Sequence, residues 1–438
     1  MVLIILLVIM FVSAEEIQNN GEKLNYTDRS ISVSVEGDIP NLIRNFGYMV
    51  ETHHVITADG YVLEAHRIPV VKRYISGDTP IPVLIMHGLL GSSADFVIKG
   101  PNKALALLLA DEGYDVWLGN SRGNRYSRSH VNIDPDSDHD FWKFSWDEIG
   151  NYDLPAFVDY IQQVTNKKKI HYIGFSQGST AFLVLNSLKP EYNEKFISFM
   201  ALAPVAYFTH NQSPLIASLG RLETIIEEFA GDFGIREMSP NKCDEIKAVR
   251  SGFEVERWIC NIYRSINFQN VEKALIPMIQ AYEPAGASVR QFVHYGQCIK
   301  FDCFCRFNHG VDINTKLYNS SRPPEYNITR VTVPTAVFFG IKDTYAQYRD
   351  LQKLATTLPN ATIHQVSDVQ FTHSDFLFHK QAKELLYDDM MKILRKFESG
   401  HYAEVNNTLI AKEDELMSSS QNSSNIFTQL LNSWGMAY

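Results

Sequence analysis

An apolar run, Ile170-His-Tyr-Ile173, leads without a break into Gly174-Phe-Ser-Gln-Gly178, and the chain continues as Thr180-Ala-Phe-Leu-Val-Leu185. The first segment has the length of a buried strand and the last the pattern of a helix. A G-x-S-x-G joint between them constrains the backbone severely. Its two glycines, Gly174 and Gly178, let strand and helix crowd together and leave Ser176 on a sharp turn. The helix N-terminus there favours developing negative charge. The motif alone is only moderately specific, and a structural serine in a tight turn is the alternative until partners for Ser176 are found.

The same alternation continues on both sides. Pro82–Met86, Gly113–Leu118, Phe196–Leu202 and Thr335–Phe339 read as strands, Thr362–Val366 as the last one, and Lys103–Leu109 and Phe157–Val164 as helices. Alternating segments predict an α/β chain with a mostly parallel central sheet and helices on both faces. From 205 to 331 the rhythm changes to helix formers and aromatics, which suggests an inserted, mainly helical cap that closes when Val331-Thr-Val-Pro334 regains strand character. The expected organisation is a signal peptide at 1–14, a polar leader at 15–40, the core at 41–204 and 332–398 around the insertion at 205–331, and a polar tail at 399–438.

Residues 1–14 pair a run too short to span a bilayer (Val2–Val12) with small residues before Glu15, so a cleaved signal is expected over an uncleaved anchor. No later run reaches membrane-spanning length. Sequons at Asn25, Asn211, Asn319, Asn327, Asn360, Asn406 and Asn422 fit a glycosylated, exported protein. The five cysteines (Cys243, Cys260, Cys298, Cys303, Cys305) leave at least one without an internal partner. Their spacing offers too few ligands for zinc to be favoured, and no metal is expected. A formal charge of −10 argues against a nucleic-acid partner.

A serine nucleophile needs a base, itself oriented by a carboxylate. In a strand–turn–helix architecture of this kind the chain order is serine, acid, histidine. Asp343 lies just past the strand Thr335–Phe339, and His373 in a loop after the last strand. Among the rivals, His379 sits in a segment that looks helical and is expected at the surface. Asp350 is expected on the following helix, and Asp375 is too close to His373 along the chain to approach it from behind. The amides of Gln177, after the nucleophile, and Leu89, in the loop His87–Ser93, are the expected oxyanion donors. His87, at a strand end, is expected to brace that loop.

Several longer segments carry a resemblance. HGLLGSSADF (87–96), LADEGYDVWLGNSRGNRYSRSH (109–130), FWKFSWDEIGNYDLPAFVDYI (141–161) and YIGFSQGST (172–180) resemble the acid lipases, the gastric and lysosomal lipases with their invertebrate relatives. The likeness covers about residues 40 to 398, with GIKD (340–343) and HSDF (373–376) matching the acid and histidine motifs. It implies an α/β-hydrolase fold, a triad of Ser176, Asp343 and His373, and oxyanion amides on Leu89 and Gln177. It also implies a movable lid over an apolar acyl cleft, and hydrolysis of triacylglycerols or cholesteryl esters at a lipid–water interface without a cofactor. The destination would be extracellular or the gut lumen, with the lysosome as alternative. An esterase for small soluble esters, or a lipid-binding protein without catalysis, would use the same fold. Departures from the family pattern fall mainly in the cap. Tyr282 stands where a histidine is usual, Gly252 replaces the middle cap cysteine, and Cys303 and Cys305 look additional. Gln347 replaces a second acidic residue after the acid strand, which favours Asp343.

Overall fold

The computed structural model describes residues 38–70, 80–211, 214–232, 236–238 and 269–400. The signal segment, Asn25, Cys243, Gly252, Cys260, Asn406, Asn422 and the polar tail after Gly400 lie outside the described residues. Helix α1 (Ile39–Asn45) precedes an antiparallel hairpin of β1 (Glu51–Ile56) and β2 (Val62–Ile68). Then β3 (Pro82–Met86), α2 (Leu105–Asp111), β4 (Asp115–Gly119), α3 (Leu154–Thr165), β5 (Ile170–Phe175), α4 (Gln177–Leu188) and β6 (Phe196–Leu202) alternate. Helices α5 (Pro214–Asp232), α6 (Ile276–Tyr282), α7 (Val289–Phe301) and α8 (Val311–Tyr318) follow. The chain then returns to the sheet as β7 (Thr335–Phe339), α9 (Tyr348–Thr357), β8 (Ala361–Gln365) and α10 (Asp388–Glu398).

The eight strands form one sheet in the order β1-β2-β4-β3-β5-β6-β7-β8, parallel from β4 to β8. Every residue of β3, β4, β5 and β7 is buried, because helices cover both faces of the central sheet. This is why those strands read as continuous apolar runs rather than alternating ones. The hairpin, by contrast, escapes the run-based reading. Its turn is set by Gly60 at φ 94° and by the Thr57 hydroxyl donating to Asp59 Oδ1 at 2.6 Å.

Two expectations change. Val331–Pro334 is not strand, which begins at Thr335; Val331 and Val333 are buried apolar loop residues, and Pro334 has no N–H for the ladder. His379 is not at the surface. It is 2% exposed, because the helix Asp375–Phe378 is a single turn directed into the core, and the His379 carbonyl accepts Lys99 Nζ at 2.8 Å.

Within 205–331, α5 and α7 cross closely where both carry glycine. A Cβ on Gly220 would lie 2.5 Å from Ile299, and one on Gly296 would lie 2.5 Å from Glu223. The far side of α7 is fastened to the core. The rings of Trp146 and His294 stack at 3.6 Å, His294 Nε2–H donates to the Cys305 carbonyl at 2.9 Å, and Arg306 pairs with Asp147 at 3.0 Å. Cys303 and Cys305 are bonded to each other, with the buried Cys298 thiol beside them. No helix of the described residues is long and apolar enough to cross a membrane.

Candidate active site

The parallel strands all end at one rim, where such sheets bind ligands. Ser176 is the joint between β5 and α4 and sits at φ 51°, a left-handed conformation that costs a non-glycine residue energy and persists only where neighbours enforce it. The neighbours are close. A Cβ on Gly174 would be 2.7 Å from Ser179 N, and one on Gly178 would be 2.4 Å from the Met86 carbonyl at the end of β3. The Ser176 amide donates to the Leu202 carbonyl at 2.9 Å, which ties the turn to β6.

Ser176 Oγ lies 2.9 Å from His373 Nε2, and His373 Nδ1–H donates to Asp343 Oδ2 at 2.7 Å. The other Asp343 oxygen accepts the Tyr345 and Ala346 amides at 2.8 and 2.9 Å. Asp343 is almost wholly buried, whereas the His373 side chain is 17% exposed. The acid and histidine loops are packed onto each other. Lys342 N donates to the Phe371 carbonyl, and a Cβ on Gly340 would lie 2.4 Å from that same oxygen.

The rivals are engaged elsewhere. Asp350 is on α9 and pairs with His210 at 2.8 Å, and Asp375 accepts the Thr372 amide at 2.7 Å. Gln347 donates its side-chain amide to the Asp343 carbonyl.

On the other side of Ser176 runs the loop after β3. A Cβ on Gly88 would lie 3.2 Å from Ser176 Cβ, so this loop passes directly beside the serine. Neither the Leu89 nor the Gln177 amide donates to another group among the described residues. Two unsatisfied N–H groups flanking a serine are a place for an anionic oxygen. Gln177 is further held through its side chain, which donates to Gln291 Oε1 on α7 at 2.6 Å.

His87 braces this loop as its place at the strand end led one to expect, and polar residues that carried no chemical signature in the sequence join it. His87 Nδ1–H donates to the Gly88 carbonyl at 2.8 Å while Nε2 accepts the Ser121 amide at 3.0 Å. Burial pushes the imidazole down to about 4, so it is neutral, a brace and not a base. Asn120 accepts the Ser93 amide at 3.0 Å, and Asn124 donates to Asn120 at 3.0 Å. Beneath them, buried Arg122 forks onto Asp59 at 2.6 and 2.9 Å, reaches Asp153 at 2.6 Å and lies over the Tyr61 ring. The segment Gly119–Asn124 was visible as part of a long motif. Its polar residues stand in a loop with no periodicity, so their roles were not.

The sequence matches known proteins over this framework. "Partial alpha/beta-hydrolase lipase region" matches residues 39–100, and "alpha/beta hydrolase fold" matches residues 81–245. Lipase 1 of Drosophila melanogaster is 37% identical over 84% of this chain and 82% of its own length. Gastric triacylglycerol lipase of Rattus norvegicus is 36% identical over 82% and 91%. Lysosomal acid lipase/cholesteryl ester hydrolase of Homo sapiens is 33% identical over 87% and 95%. With this likeness along both halves of the sheet, the chain belongs to the acid lipases, the gastric and lysosomal family of carboxylic ester hydrolases on the α/β-hydrolase fold.

Proposed function

We propose that the chain hydrolyses neutral lipid esters, triacylglycerols first and cholesteryl esters second, through Ser176, His373 and Asp343. The observation that carries this reading is His373 standing between Ser176 Oγ and the buried Asp343 carboxylate. In the first half-reaction His373 Nε2 takes the Ser176 proton as Oγ attacks the ester carbonyl. The Leu89 and Gln177 amides hold the resulting oxyanion, and Asp343 stabilises the imidazolium. His373 then protonates the leaving alcohol. In the second half-reaction it activates water against the acyl-enzyme, which releases the fatty acid and restores the serine. Every step is a proton or acyl transfer among these groups, and no cofactor is invoked.

Residues 205–331 serve in this proposal as the cap over the acyl site, with the core on either side. The names of the relatives, gastric and lysosomal, support a site of action that is extracellular or luminal, with the lysosome as alternative. Of the candidate glycosylation sites, Asn319 and Asn327 are exposed, while Asn211 and Asn360 are half-buried with their amides donating to Thr344 and Thr332.

The test is a comparison of rates on emulsified long-chain triacylglycerol, cholesteryl ester and short soluble esters from about pH 4 to 8. Preference for the emulsions is expected. Turnover of soluble esters alone would replace the lipase reading with an esterase. Covalent labelling by an organophosphonate, abolished in S176A, is the expected sign of the nucleophile, and an unlabelled wild type would leave a lipid-binding protein.

A further inference from the structure

The hydrogen bonds to Ser176 and Asp343 account for the ring of His373 but not for its backbone. Asp375, excluded as the acid, stands two residues on and is wholly buried. The Asp375 amide donates to the Thr372 carbonyl at 3.2 Å. Its Oδ2 accepts both the Thr372 amide and the Thr372 hydroxyl, each at 2.7 Å. Thr372 and Asp375 are thus cross-bonded by backbone and side chain, and His373 is the second residue of the turn they close. Bonds of both kinds across one turn fix the dihedrals of the residues inside it, and with them the direction in which the His373 side chain leaves the backbone.

The turn hangs between two anchored neighbours. Phe371, before it, is wholly buried, and its carbonyl accepts the Lys342 amide from the acid loop at 3.1 Å. Phe376, after it, is also wholly buried, and its carbonyl accepts the Tyr387 hydroxyl at 2.7 Å. The rings of Phe175 and Tyr345 lie 4.9 and 5.0 Å from the imidazole. Flanked in this way, the imidazole has little room to absorb a shift of the turn by rotating. A shift passes instead to the distances from Nδ1 and Nε2.

A further hold comes from the insertion. Asn270 Nδ2 donates to Asp375 Oδ2 at 3.2 Å. Asn270 is half-buried and opens a short stretch, 270–272, that runs beside the residues following the turn. Lys380 N donates to the Asn270 carbonyl at 3.0 Å, Val271 forms an antiparallel bridge with His379, and Glu272 pairs with Lys103. The other Asp375 oxygen is buried and meets no donor among the described residues. The turn and the insertion therefore meet on one carboxylate oxygen, Oδ2.

We propose that Asp375 is a positioning residue for His373, and that Asn270 is the insertion's grip on it. The pair sets the turn from which the imidazole reaches Ser176 Oγ at 2.9 Å and Asp343 Oδ2 at 2.7 Å. The effect on rate rests on His373 as the base, as proposed above; the hold of the turn on the ring does not. A misplacement of about 1 Å, even from a change remote from the chemistry, can cost about 100-fold in rate. N270A removes one donor and leaves both Thr372 bonds in place. N270D does more, because it sets a second acceptor against Asp375 Oδ2. T372V removes a hydroxyl donor from within the turn itself.

The experiment measures kcat and KM on a short soluble ester for the wild type and these three variants. It also follows the downfield proton resonance of His373 Nδ1–H, assigned by its loss in H373Q. N270D is expected to lower kcat by about 100-fold and N270A and T372V by about 10-fold, with KM within about twofold of wild type. The resonance should shift in all three, and most in N270D. Values of kcat and resonances that superpose on the wild type overturn the proposal, and so does a change confined to KM. A fall in kcat at an unmoved resonance overturns it too, since the loss would then lie elsewhere than in the placement of His373. Should N270D not fold, N270A and T372V decide by the same criteria. The resonance needs no turnover and can be read equally in S176A. A wild type that an organophosphonate does not label, with resonances that shift as expected, would leave the positioning pair standing and the nucleophile fallen. A labelled wild type with unmoved resonances would do the reverse.

Discussion

The two sides of Ser176 are built on opposite plans. The side proposed for acid–base chemistry consists of two side chains, His373 at 2.9 Å from Ser176 Oγ and Asp343 at 2.7 Å from His373, each supplied by a loop at the end of its own strand. The side proposed to hold the oxyanion consists of backbone amides, which no substitution but proline removes, held in place by buried polar groups from several segments. On the first side the chemistry is concentrated in named atoms. On the second it is spread over a scaffold, so damage there should be graded and should act through distance rather than through loss of a reacting group.

Substitutions that separate the plans should fall in order of size. S176A and H373A are each expected to lower kcat roughly a million-fold, with the double variant little worse, because the pair acts as a unit; D343N should cost roughly ten-thousand-fold. Burst and steady-state kinetics on one ester would check this, and additive losses in the double variant would contradict a shared step. R122M should act on stability instead. It leaves Asp153, which is wholly buried, without its cation, and should cost about 3–5 kcal/mol in denaturant unfolding.

H87A tests the scaffold side directly. It strands the Ser121 amide and frees the Gly88 carbonyl, and kcat should drop by about 100-fold with KM nearly unchanged, the lower range for losing one oxyanion donor. An effect on KM alone would mean that the loop positions substrate and not charge. The smallest effect concerns stability against pH. Burial pushes His87 down to about 4 and His294 down to about 3. Both are depressed in the folded state, so their contribution is complete above about pH 6.5 and falls by about 1.4 kcal/mol per pH unit for each below it. Melting temperature should decline on acidification, and less steeply in H294Q.

The same contrast explains what could be read from the sequence. The central strands were legible because burial on both faces forces uninterrupted apolar runs; Phe196–Leu202 and Thr335–Phe339 have the expected bounds. Ser176, Asp343 and His373 could be named as a candidate triad because a serine, acid and histidine after successive strands meet at one rim of such a sheet, and in the structure their side chains lie within hydrogen-bonding distance. The hairpin β1–β2 was missed because its alternating pattern gives no run, and its signal was the Asp59-Gly60 turn. His379 was misjudged because helical character says nothing about which side faces inward. Asn120, Asn124 and Gln291 were invisible as a group. A polar side chain in a loop or on a helix looks the same in sequence whether it meets water or a buried amide.

The serine and the histidine that complete the site are 197 positions apart, and β7 must pair with β6 across the whole 205–331 excursion before Asp343 can approach. Contacts of such long range form late, since closing a long loop precedes any reward from it. A nascent or truncated chain can therefore present a finished β5–α4 turn, serine included, with no base to arm it. In the proposed mechanism, hydrolytic competence arrives only with the last strand.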